Sequence, residues 1–110
     1  MTEKVLVFNA QNNVADEIAI IYTSPSSGAG TRITAFTASN DTTSSKTYKA
    51  YIYSATSSLE KSVIPQTIVV RDRADYGASI VNQVIPAGGT LRVESSEENS
   101  INFYVTGIEQ

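Results

Sequence analysis

The residue types that usually carry chemistry are thinly represented in this chain, which contains no histidine and no cysteine. Without imidazole there is no ordinary general base near neutral pH, no Ser-His nucleophile pair and no His metal ligand. Without thiols there is no disulfide framework and no thiolate metal site, which by itself says nothing about compartment. What remains is carboxylates, serines and glycines. In "RDRAD" (71–75), Asp72 and Asp75 stand three apart and offer the oxygens that calcium takes, but no ligand-dense loop surrounds them, and the segment reads as a solvated turn. In "SSEEN" (95–99), Glu97 and Glu98 are adjacent and diverge if the chain is extended, so they read as a charged hairpin tip. Two carboxylates from distant loops are enough for a glycosidase, but so short a chain has little length to wrap a groove around them. The one S-x-x-K match, Ser58 to Lys61, lies in "SSLEKS", a loop-like setting, and no G-x-S-x-G occurs. Asn40-Asp41-Thr42 fits a glycosylation sequon and reads as a turn.

The glycine pair of "PAGGTLRV" (86–93) poses the sharpest choice. Gly88 and Gly89 would cradle phosphate only if a helix began there, whereas "TLRVESS" alternates like a strand, and neither GK[ST] nor GxGxxG accompanies it. The pair is therefore expected to form a structural corner, with Pro86 fixing the approach and Gly88 or Gly89 at positive φ. No catalytic, cofactor-binding or metal-ligating residue is assigned, and the chain reads as non-enzymatic.

The elements that position these residues follow from composition and period. A chain of 110 residues, 41% hydrophobic, suits a single domain over 1–110 with one core. The net charge of −3, with no cluster of Lys or Arg, argues against nucleic acid as a partner. No stretch approaches the roughly 18 apolar residues of a membrane span, and "MTEKVLVFNA" has only a four-residue apolar run behind Glu3 and Lys4, so neither a membrane partner nor a secretory signal is expected. Ser and Thr make up about a quarter of the residues, and with Val, Ile and Tyr they favour strands and turns. Alternation predicts strands at 4–8, 18–23, 30–38, 47–54, 67–71, 78–85, 90–95 and 101–107, and a short turn at 13–17. The connectors are "SPSSGAG", "SNDTTSSK", "SSLEKSVIPQ", "DRADYG", "PAGG" and "SSEENS". About eight strands without helices point to an all-β antiparallel β-sandwich of about eight strands, jelly-roll-like in one form, with a small barrel as the alternative.

Period two also sorts faces. In "TYKAYIYS", Tyr48, Ala50 and Ile52 point to the core and Lys49, Tyr51 and Tyr53 away; in "INFYVTG", Ile101, Phe103 and Val105 point inward and Asn102, Tyr104 and Thr106 outward. Lys49, Tyr51, Tyr53 and Tyr104 are thus candidate interface residues, because amphipathic rings on an outer face are enriched where proteins meet. "SPSSGAGTRIT" (24–34) and "IPAGGTLRV" (85–93) echo each other, each a corner, a strand, a polar turn and a second strand.

With the strands placed, "GTRITAFTASNDTTSSKTYKAYIY" and "IPAGGTLRVESSEENSINFYVTGIE" together resemble small tailed-bacteriophage virion structural proteins across residues 23–109. The shared motifs are turn-and-strand patterns with no catalytic signature. The resemblance implies a β-sandwich that self-associates, as a trimer or dimer, and binds other virion proteins of the capsid, neck or tail, in a particle assembled in the host cytoplasm. Capsid decoration, collar and tail-accessory proteins would read alike. The alternative is a carbohydrate-binding β-sandwich whose exposed Tyr51, Tyr53 and Tyr104 stack on sugar rings, although such modules usually favour Trp and this chain has none.

Overall fold

The computed structural model describes residues 2–110; Met1 lies outside them. Among the described residues, nine strands form two antiparallel sheets: β1 (Lys4–Gln11), β2 (Ala19–Thr23), β3 (Thr31–Asn40), β4 (Lys46–Ser54), β5 (Leu59–Val69), β6 (Arg73–Asp75), β7 (Val84–Ile85), β8 (Thr90–Ser95) and β9 (Ile101–Glu109). One sheet, here sheet A, has the order β1-β9-β3-β6, with β7 also on β3; the other, sheet B, has the order β2-β8-β4-β5. The chain is a long antiparallel ribbon closed at the β4–β5 hairpin, with β3·β6, β2·β8 and β1·β9 pairing successively outward from it. Wrapping that ribbon so that alternate pairs fall in opposite sheets gives the eight-stranded jelly-roll, to which the two-residue β7 is an addition.

The core sits between the sheets and is led by Phe36, Tyr48 and Phe103, whose rings are 5.7 to 6.1 Å apart. Ile33, Leu91, Val93, Ile101 and Val105 close around them, all fully buried. Alternation placed Tyr48 and Ala50 on β4 and Ile101, Phe103 and Val105 on β9 at buried positions, while Ile52 is only half-buried because the hairpin projects beyond the core there.

Three segments differ from the sequence expectation. Residues 78–85 are mostly consecutive turns, with only Val84–Ile85 in a strand. The Ile80 amide donates to Gly77 and that of Gln83 to Ile80, so the turns carry Ile80 into the core without sheet pairing. The expected connector at 57–66 is, from Leu59 onward, instead the larger part of the 11-residue β5. Its "LEKS" residues look like a loop because this end of the hairpin lies in solvent, with Leu59 to Ser62 all exposed. "DRADYG" likewise contains β6, a three-residue edge strand on β3.

The glycine corner forms as expected. The Gly89 amide donates to Pro86 O at 2.8 Å, closing a turn in which Gly88 has φ +74°. Gly89 needs its missing side chain for another reason: a Cβ there would lie 2.4 Å from Tyr53 O. The corner is tied to its echo, since Gly88 N donates to Pro25 O (3.0 Å) and Ser24 N to Gly89 O (2.8 Å). The two similar units supply β3 and β4, then β8 and β9, the four central strands of the sandwich. Gly88→Val and Gly89→Val should each lower stability by about 1–2 kcal/mol, the first through backbone strain and the second through a backbone clash. Urea denaturation measures this, and two neutral variants would reduce the pair to a slack loop.

Candidate functional site

The four candidate interface residues do not share one surface. Lys49, Tyr51 and Tyr53 lie on the outer face of sheet B, and Tyr104 lies on the outer face of sheet A, across the whole sandwich. The sequence could not reveal this, because alternation distinguishes inward from outward but not one sheet from the other.

The sheet B face is a tiled network of side chains. Tyr51 donates its hydroxyl to Glu94 at 3.0 Å. Burial, then that bond and the negative charges of Glu94 and Glu60, push its pKa up to about 12. The Arg92 guanidinium lies 4.1 Å from the centroid of the Tyr53 ring, donates through Nε to Thr90 at 2.9 Å and reaches Glu60 at 3.5 Å. Lys49 stands opposite Glu94 and borders a shallow polar depression of about 130 Å³ with Asp16, Gln66 and Ser96. These rings are held in place by charged neighbours on their own surface.

The sheet A face is different. Tyr104 meets Phe8 edge to face, with centroids 5.6 Å apart, and Phe8 is 76% exposed, the most exposed of the large hydrophobic side chains described. Around this pair, Val5, Ala35, Thr37 and Thr106 present methyl and hydroxyl groups. Charge returns only toward the ends of the face, at Glu3, Arg32 and Asp41. Phe8 was legible as a strand residue but not as part of the site. Register shifts between Val5 and Val7 and between Val7 and Ala10, with Asn9 at φ +56°, turn both Val5 and Phe8 outward around a buried Val7. Strict alternation cannot put residues three apart on one face.

The carboxylates are dispersed. Glu97 pairs with Lys46, Glu98 is exposed, and Asp72 occupies a turn at φ +56°. Asp75 corrects the solvated-turn expectation: it is half-buried, accepts a hydrogen bond from the Tyr48 hydroxyl and another from Gly77 N at 3.3 Å. No group of three or more carboxylates that could hold a metal ion comes together among the described residues. Ser58 caps the hairpin at φ +55° and Lys61 lies in β5, so the S-x-x-K match straddles a turn and a strand. Asn40 is fully buried. Its Nδ2 donates to Ser44 O and Val69 O, and its Oδ1 accepts from Thr42, so the sequon is a satisfied turn whose amide is inaccessible in the folded chain.

The fold and surfaces thus define a jelly-roll sandwich with one charge-tiled face and one uncharged aromatic face. No family model matches the chain, and neither a curated protein nor a solved structure shows significant similarity to it.

Proposed function

We propose that this chain is a non-enzymatic structural protein of a tailed-bacteriophage virion, which self-associates and attaches to capsid, neck or tail proteins through its sandwich surfaces. The observation that carries this reading is the uncharged outer face of sheet A, centred on Phe8 and Tyr104. Large exposed aromatic side chains on a patch rimmed by charge are typical anchors of protein interfaces. Jelly-rolls also recur in viral capsid domains, though lectins share them, so the fold supports the reading only by analogy.

The sugar-binding alternative draws on Tyr51, Tyr53 and the polar depression beside Lys49. It is weakened by Arg92, which occupies one face of the Tyr53 ring, and by the separation of Tyr104 from the other two rings. Purified particles are expected to contain the chain, and a glycan array is expected to show no binding that depends on Tyr51 and Tyr53. Array binding lost in Tyr51→Ser/Tyr53→Ser, with the chain absent from particles, would transfer the assignment to carbohydrate recognition.

A further inference from the structure

We propose that copies of this chain join head to tail, with Phe8 of one copy seated in an apolar groove of the next, so that self-association generates a ring or a linear array in place of a two-fold dimer. The inference rests on the self-association part of the reading above.

The groove lies where the β4–β5 hairpin overhangs the edge of sheet A. Ile52, Leu59 and Val63 of the hairpin face Val84 and Pro86 across a space of about 240 Å³. Leu59 is 69% exposed and Val84 is 38% exposed. A cavity of about 150 Å³ is enough to hold benzene, so one phenyl ring fits with room for its flanking atoms. Phe8 is the matching projection.

Topology keeps the two features apart. Phe8 is on β1, one edge of sheet A, whereas β7 pairs with β3 toward the other edge and β5 is the far edge of sheet B. A projection and a groove on opposite flanks cannot satisfy each other within one chain; a two-fold contact pairs them reciprocally only when both lie in one contiguous patch, and here they lie on opposite edges of the sandwich. They make a heterologous contact, which closes into a ring if the rotation allows and otherwise propagates.

Charge is complementary across the same contact. Lys61 is the charged side chain lining the groove, and it has no ion-pair partner among the described residues. On the Phe8 side, Asn102 stands two residues from Tyr104 along β9 and donates to Asp41 at 2.9 Å; Asp41 likewise has no ion-pair partner among the described residues. Docking Phe8 into the groove brings an unpaired acid and an unpaired base to one interface, which favours this orientation over the reverse.

The chain contains no cysteine, so introduced thiols report this contact without background. Phe8→Cys and Leu59→Cys variants, mixed under mild oxidation, should give a covalent heterodimer, while each alone stays largely monomeric on a non-reducing gel. The double variant should give a ladder or a single closed ring. A covalent dimer from Phe8→Cys alone, or no cross-link in the mixture, would overturn the head-to-tail arrangement. Light scattering on the unmodified chain separates the two levels of the argument. An oligomeric mass without the mixed cross-link removes only this contact, whereas a monomeric mass at about 100 µM removes self-association as well. Lys61→Glu should weaken the assembly and Asp41→Lys should restore it in the double variant; failure of that rescue counts against the charge pairing.

Discussion

Phe103→Ala is expected to remove about 3–5 kcal/mol of folding stability, the range for truncating a buried Phe, because the ring is fully buried and packs against both Phe36 and Tyr48. The surroundings have little freedom to collapse. Phe103 sits on β9, which is paired on both sides by β1 and β3, so its backbone cannot move inward without breaking two ladders. A domain of this size is stable by roughly 5–15 kcal/mol, so the variant should be partly unfolded at moderate temperature. Urea denaturation followed by tyrosine fluorescence measures the loss. A loss below about 1 kcal/mol would mean that the two sheets do not close around this ring.

Tyr48→Phe is expected to lower stability at neutral pH by about 1.5–3 kcal/mol, because it removes a hydroxyl bonded to the half-buried Asp75 and leaves that carboxylate with only the Gly77 amide. The same site sets the alkaline limit. Burial, followed by the bond to Asp75 and its charge, raises the Tyr48 pKa well above that of a free tyrosine. Tyr22, half-buried and bonded to Glu109, is pushed up to about 12, as is Tyr51. Where the folded pKa lies above the unfolded one, the unfolded chain ionises first and stability falls with rising pH. The urea midpoint should therefore decline from about pH 10 upward, and the decline should be shallower in Tyr48→Phe. Glu109 has the opposite sign. Its pKa is lowered by the hydrogen bond from Lys4 and then by that from Tyr22, so its contribution is present above the usual carboxylate range and fades as pH falls through the lowered value.

How much of this was legible in the sequence depends on which physical signal each residue carries. The fold class was written in period two and in the turn residues, and the inward faces of β4 and β9 followed from alternation because those strands are central and the middle of one face of each is buried. The corner at Pro86, Gly88 and Gly89 was legible because glycine pairs beside proline have few other structural uses. Residues 59–66 of β5 and all of β6 were not, since an edge strand or an overhanging hairpin buries too little to impose alternation. Residues 78–85 failed in the reverse sense: Ile80 and Ile85 need burial, but turns deliver it as well as a strand does. The same limits hid the site. Tyr51, Tyr53 and Tyr104 read as one outward set although the wrapping of the ribbon sends them to opposite sheets, and Phe8 emerged only through irregular pairing along β1.

Virion membership is the central claim, and the composition of intact particles tests it most directly. Particles banded in a density gradient from the source culture, washed in high salt and analysed by quantitative mass spectrometry, should contain this chain in a fixed ratio to the major capsid protein, whichever part of the particle it occupies. Phe8→Ser/Tyr104→Ser, confirmed folded by its unfolding transition, should be depleted from particles when supplied in place of the unmodified chain. Abundant chain in the lysate with none in washed particles would contradict the account.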